Sequence, residues 1–135
     1  AILLEKLKIF PGELIKRNQI ADQYRDLLGR YFVCQETHVG YESAWAQFSL
    51  LAEDTVHRSA CQERLKKSGI PTAIYYSMPL HLQEAFNGLK YKEGDFPVSE
   101  YISNRIFSLP MHPYLIDNDI KRICDNLITC KEIVE

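Results

Sequence analysis

Residues 69–86, GIPTAIYYSMPLHLQEAF, set two phenols, an imidazole and a carboxamide around Pro79: Tyr75, Tyr76, His81 and Gln83. An imidazole gives up or takes a proton near neutral pH. Phenols and carboxamides both donate and accept hydrogen bonds. Gathered on one wall of a cleft, these side chains could hold and orient a polar substrate. Each also has a plain structural reading. His81 could cap a turn. Tyr75 and Tyr76 are adjacent, so in a strand one ring joins the core and the other faces outward, unless both pack. Arg105, in SNRIFSLP, could clamp a carboxylate or phosphate through its planar fork, or pair with Glu100 or a helix end. Trp45 reads as a core or interface residue.

Other reactive residue types form no recognisable pattern. Cys34, Cys61, Cys124 and Cys130 show no CxxC or Cys/His zinc spacing, and His38, His57 and His112 share no ligand spacing with His81 or with one another. Cys61 and Cys124 fall in helical patterns, where cysteine behaves as a small hydrophobe. The expectation is four reduced, structural cysteines and no metal, which suits a reducing compartment, the cytoplasm. Lys66 and Lys67 read as an exposed helix face. There is no GxGxxG, Walker loop, HExxH or GxSxG motif.

The elements that must position these groups follow from periodicity. Residues 1–28 are helical in pattern, with a break or kink expected at Pro11 and a stop at Gly29. A short strand is expected near 31–34. A stronger one is expected over 43–52, with Ala44, Ala46, Phe48 and Leu50 on one face and Trp45, Gln47, Ser49 and Leu51 on the other. Glu53, Asp54 and Thr55 offer helix-start chemistry for a helix over 56–68 that Gly69 ends. Residues 72–76 are strand-like, 80–86 suit one or two helical turns, and 87–95 read as a loop. Pro97 opens a short helix, 106–109 is a buried strand, and Ile116, Ile120, Ile123 and Leu127 make the apolar stripe of a last helix. Short strands alternating with helices predict one α/β domain, a small sheet of about three strands covered by helices.

Composition narrows the partners. A net charge of −2, with 46% hydrophobic and 25% charged residues over 135 positions, gives no basic footprint for nucleic acid. No apolar run approaches the roughly 20 residues that cross a bilayer. The chain opens on AILLEKLKIF, already in helical register and without a signal-peptide pattern. It is therefore expected to be part of a longer protein. From the residues alone, the reading ends at an α/β domain with a candidate site near His81.

Four segments taken in order go further. AILLEKLKIFPGELIKRNQIADQY, with Arg17, Ala21 and Tyr24 as R-x-x-x-A-x-x-Y, SAWAQFSLLAED, GIPTAIYYSMPLHLQEAF and FPVSEYISNRIFSLPMHPYL together resemble the C-terminal small domain of the DegT/DnrJ/EryC1/StrS aminotransferases. These enzymes have the aspartate aminotransferase fold, use pyridoxal phosphate and act on sugar nucleotides. The resemblance spans almost the whole chain. It departs at Ser77, where the family commonly has proline, which loosens that loop.

The resemblance implies that Tyr76 and His81, with Tyr75 and Gln83 beside them, face a sugar-nucleotide pocket; Arg105 stands as a further substrate-binding candidate through its planar fork. It implies an amino-acid donor such as glutamate, and a homodimer when the protein is intact. It also implies that the lysine that links to the cofactor lies in a preceding large domain, so that this chain alone carries no catalytic residue, binds no cofactor and does not transaminate. A non-catalytic regulatory relative and a free-standing metabolite-binding module are the alternatives.

Overall fold

A computed structural model describes residues 1–132. Helix α1 runs from Ile2 to Leu28 without interruption. Pro11 therefore sits inside a continuous helix rather than at the expected break. It removes one backbone donor, the one that would reach Leu7, in a half of the helix that is exposed on all sides. Only from Ile20 onward does α1 turn residues into the core: Ile20, Ala21, Tyr24 and Leu28 are buried.

Three antiparallel strands, β1 (Val33–Cys34), β2 (Phe48–Leu51) and β3 (Ile106–Leu109), form one sheet in the order β1-β2-β3. Phe48 lies opposite Leu109, and Leu50 opposite Phe107; these four point into the core with the buried faces of the helices. Because side chains alternate along a strand, Ser49, Leu51, Ile106 and Ser108 share the opposite face, where the Ser49 and Ser108 hydroxyls meet at 2.9 Å. The α/β class and the sheet size agree with the sequence pattern.

Two strand expectations are corrected. The 43–52 strand shortens to Phe48–Leu51 because Trp45 adopts a left-handed backbone (φ 44°). That reversal buries the indole and leaves Ala44 and Ala46 exposed, the inverse of the alternation predicted there. The 72–76 strand reduces to a single bridge, Ala73 to Ser108. Past it the chain leaves the sheet, so Tyr75 and Tyr76 are both exposed rather than split between core and solvent.

Helix α2 (Thr55–Lys67) starts as its sequence predicts. The Asp54 carboxylate accepts from the His57 backbone N–H at 2.7 Å, supplying an acceptor to a helix end that lacks one. It ends where Gly69 takes φ +71°. The Gly69 N–H then reaches Lys66 O and the Ile70 N–H reaches Leu65 O, both at 2.9 Å, while buried Ile70 and Leu65 supply the apolar contact of a Schellman cap.

After two short 3₁₀ turns, Leu80–Leu82 and Glu84–Leu89, helix α3 (Pro97–Ser103) leads into β3. Helix α4 (Asp117–Glu132) follows and buries Ile120, Ile123, Cys124 and Leu127 against α1 and α2. Ile116 precedes α4 and is exposed, so it drops out of the predicted stripe.

Replacing Gly69 with alanine tests the α2 cap cleanly. A Cβ there meets nothing within 4 Å, so the cost is that of the left-handed backbone alone. Chemical denaturation of Gly69→Ala should show a loss of about 1 kcal/mol. An unchanged midpoint would remove the cap from the account of how α2 ends.

Candidate functional site

The face of the sheet opposite the core forms the floor of a groove of about 590 Å³. Ser49, Leu51 and Ile106 lie along it, the 43–47 segment and Cys34 border it, and Ile102 of α3 and Tyr76 close it. A second hollow of about 250 Å³, lined by Met78, Pro79, Gln83 and Ser99 among others, shares Tyr76, Ile102 and Ile106 with the first. Tyr76, 61% exposed, therefore stands where the two meet. Its phenol is available to a ligand in either hollow. The floor offers hydroxyls and amides beside apolar carbon, a surface suited to orienting a polar ligand over an apolar base.

The other candidates separate from Tyr76. Gln83 lines the smaller hollow, but its Nε2 donates to Met78 O at 3.2 Å, which fixes the loop around Pro79. Tyr75 is exposed and does not line either hollow. Arg105 donates from Nε to Glu53 O at 2.8 Å and from Nη1 to Tyr101 O at 3.2 Å, with its guanidinium 3.8 Å from the Tyr101 ring centroid. Those bonds tie the junction of α3 with β3 to the turn between β2 and α2.

His81 is buried and lines neither hollow; with Phe86, Tyr91 and Phe96 it borders a separate one of about 330 Å³. Its Nε2 lies 2.9 Å from Glu100 Oε1, and its ring packs 4.8 Å from Phe96. The Glu100 carboxylate also accepts from the backbone N–H groups of Gly94 and Phe96. One acidic side chain thus gathers a loop, a helix start and the imidazole. Its partial burial would raise the carboxyl pKa, but the donors from Gly94, His81 and Phe96 outweigh that and hold it below the usual carboxylate value. Glu100 is the residue that sequence reasoning treated only as a possible partner for Arg105. The signal for its role lay in its place at the fourth position of the helix that Pro97 opens.

Sequence reasoning also missed a cluster under α2. His57 and Cys61, four apart and so on one helical face, meet Cys130 of α4. A ring nitrogen and the two sulfurs all lie within 4.8 Å of one another, and all three residues are buried. The i, i+4 spacing was legible; the partner from α4 was not.

No described helix is long and apolar enough to cross a membrane. Every lysine whose side-chain environment is described is exposed, so none of them is the desolvated amine that covalent amine chemistry on a carbonyl group requires.

The comparisons with known proteins decide the family. The profile of the DegT/DnrJ/EryC1/StrS aminotransferase family matches residues 1–128. The chain belongs to that family. It is 38% identical over 130 residues to the UDP-2-acetamido-2-deoxy-3-oxo-D-glucuronate aminotransferase of Pseudomonas aeruginosa, covering 92% of this chain and 33% of that protein. It is 34% identical over 119 residues to the erythromycin biosynthesis sensory transduction protein EryC1 of Saccharopolyspora erythraea, covering 85% of this chain and 31% of that protein. Among solved structures, a DegT DnrJ EryC1 StrS aminotransferase from Brucella abortus superposes with a TM-score of 0.88 at 41% identity, over 97% of this chain and 34% of that one. The chain therefore spans about a third of the length of the relatives it matches.

The Glu100 carboxylate gives a pH prediction with a fixed sign. A carboxyl whose pKa is lower folded than unfolded stabilises the fold above its unfolded value, and that stability is lost as pH falls through the folded value. The Gly94 amide proton resonance should follow this titration, with a midpoint below that of an ordinary glutamate. Glu100→Gln should abolish the transition and flatten the acid limb of stability. A midpoint at or above the ordinary value would show that the loop does not depend on the ionised carboxylate.

Proposed function

We propose that the intact protein carrying this chain is a pyridoxal phosphate-dependent aminotransferase that moves an amino group from an amino-acid donor, glutamate, to a keto-sugar nucleotide. The observation that carries the reading is family membership over residues 1–128, supported by relatives whose names specify aminotransferases of nucleotide-linked sugars. Residues 1–135 are its C-terminal small domain, and a preceding large domain supplies the cofactor site. Bound pyridoxal phosphate supplies the electron sink that amino-group exchange requires. This chain alone does not transaminate, in keeping with its exposed lysines. The intact protein acts as a homodimer.

The role of this chain is then positional. Tyr76 offers a phenol at the junction of the two hollows, and Ser49, Gln47 and Ser43 offer polar groups along the larger one. Such contacts orient a sugar and discriminate among its hydroxyls, because a pocket group left unpaired by the wrong sugar carries a penalty. His81, Gln83 and Arg105 act one step back. His81 and Glu100 hold the loop beside α3, Gln83 fixes the turn at Pro79, and Arg105 fixes the junction of α3 with β3. Tyr75, exposed beside Tyr76, is the remaining candidate contact. The exposed apolar face of α1, with Ile2, Leu3, Leu7 and Phe10, is the surface we assign to the rest of the intact protein, since contiguous exposed apolar surface marks a contact.

A second reading has one observation in its favour: a 34% identical relative is named a sensory transduction protein. A single experiment separates the two. The intact protein mixed with pyridoxal phosphate should show a visible band from the lysine-bound cofactor that bleaches when glutamate is added. Absence of the band would favour the regulatory reading. With activity in hand, Tyr76→Ala should raise KM for the sugar nucleotide by about tenfold, the equivalent of one hydrogen bond of roughly 1–1.5 kcal/mol, and leave the glutamate half-reaction unchanged. Equal kinetics would assign that phenol no part in substrate binding.

A further inference from the structure

The Cys61 Sγ lies 3.3 Å from the Cys130 Sγ, across the contact between α2 and α4. Both thiols are buried and free. His57 completes the cluster. Its Nδ1 accepts from the Glu53 backbone N–H at 3.3 Å, which leaves the proton of the neutral ring on Nε2. That nitrogen is buried without a hydrogen-bond partner among the described residues. Phe32 stacks over the ring with centroids 5.6 Å apart, closing one face.

This arrangement distinguishes between two uses of a His–Cys–Cys cluster. A metal needs a lone pair from the imidazole, and a metal-bound histidine ordinarily donates its other N–H to an acceptor. Here the other nitrogen faces a donor, so a metal on Nε2 would set the Nδ1 proton against the Glu53 N–H. The tautomer disfavours a metal. It supplies instead a buried N–H donor in the same cluster as two sulfurs, suited to receive the charge of a transient thiolate.

We propose that Cys61 and Cys130 are a redox modification site that closes into an intramolecular disulfide on exchange with a small-molecule disulfide. In the closed helix the site is inert, because burial pushes the Cys61 thiol well above its ordinary pKa and the thiolate is the reactive form. Cys130 must therefore meet solvent through local opening of its turn of α4, a motion that costs less than global unfolding. Once that turn opens, the Cys130 thiol loses its proton to solvent and attacks one sulfur of the small disulfide. That S–S bond breaks, and the departing thiolate takes up a proton. While the turn is still open and Cys61 meets solvent, Cys61 attacks the Cys130 sulfur of the mixed disulfide, and the turn recloses over the new bond. The second small thiol leaves with the proton that Cys61 gives up. Two protein thiols are oxidised to one disulfide, and one small disulfide is reduced to two thiols.

The product staples α2 to α4 covalently, beside contacts such as Ser68 to Asn126 at 2.7 Å. It closes a long loop, the kind of cross-link that most restricts an unfolded chain. Cys34 and Cys124 stand outside the pair. Both are held high by burial, Cys34 to about 11 and Cys124 to about 12.

The test treats the intact protein with glutathione disulfide, quenches in acid, alkylates free thiols under denaturing conditions and maps the peptides by mass. The expected result is a peptide pair joined through Cys61 and Cys130, lighter by two hydrogens than the reduced pair. It should form slowly, reverse with dithiothreitol and raise Tm by several degrees. Cys34→Ser should leave it intact, whereas Cys130→Ser should abolish it. Should the Cys130 variant fail to fold, the wild-type map decides alone. Full alkylation of both cysteines after oxidation would overturn the proposal. So would a stable glutathione adduct on Cys130 that never closes, or a co-purifying zinc ion released by Cys61→Ser.

Discussion

The hydroxyl of Tyr24 is buried inside a hydrophobic core and has to find an acceptor there. A buried polar group without a partner costs on the order of 1–3 kcal/mol. It finds Pro110 O at 2.9 Å, and that one bond fixes how far α1 stands from the end of β3. The ring packs on Phe48, centroids 5.0 Å apart, and so reaches β2 as well. One turn earlier Ala21, with no surface exposed, keeps the approach close. One turn before that, Arg17 donates to Trp45 O at 2.8 Å, and its neighbour Asn18 accepts from the Trp45 indole at 2.9 Å. Arg17, Ala21 and Tyr24 fall on one face of α1 because their spacings are four and three. The R-x-x-x-A-x-x-Y pattern is thus a clamp that sets the rim of the groove.

The clamp explains the two faces of the sheet. With α1 pinned by Tyr24, the core side is closed by α1, α2 and α4, and the strands present Phe48, Leu50, Phe107 and Leu109 to it. The other face is not apolar throughout, and no comparable layer of the described residues covers it. It carries Ser49 and Ser108, which satisfy each other, beside the Leu51 and Ile106 pair. An uncovered sheet face with mixed chemistry is where a ligand can lie flat against rigid backbone. Tyr76 reaches it only because the chain leaves the sheet after Ala73. Had the predicted strand continued, strand alternation would have sent one of the two tyrosines to the core side.

The parts of the fold legible in the sequence are those governed by local chemistry. Asp54 before α2, Gly69 after it, Pro97 at the first turn of α3 and the spacing of Ile120, Ile123 and Leu127 each act within a few residues. What the sequence did not reveal depends on contacts between distant segments. Trp45 is held in a left-handed backbone while Arg17 and Asn18 grip its carbonyl and indole; nothing within residues 43–47 announces that. The unbroken passage of α1 through Pro11 goes against the local rule. Likewise, His57 and Cys61 show their common face in the sequence, but Cys130 arrives from another helix. At the site, only Tyr76 among the five candidates combines exposure with a lining position in both hollows.

The placement of His81 shows why residue type alone is a weak guide to chemistry. An imidazole in a polar segment beside a proline suggests a proton carrier, and family resemblance places it at a pocket wall. Yet a proton carrier must reach the atom it serves, and His81 is buried, with Nε2 directed at Glu100 and its ring packed on Phe96. The carboxylate it meets is already engaged by two backbone N–H groups, so the trio behaves as a rigid unit rather than a relay. What His81 contributes is the position of α3, and through Ile102 of α3 the wall of both hollows. On the function proposed above, a substitution at His81 would be felt through a shift of that wall. Misplacement by an ångström is enough to slow a reaction severely, so a residue that positions a wall can matter as much as one that lines it.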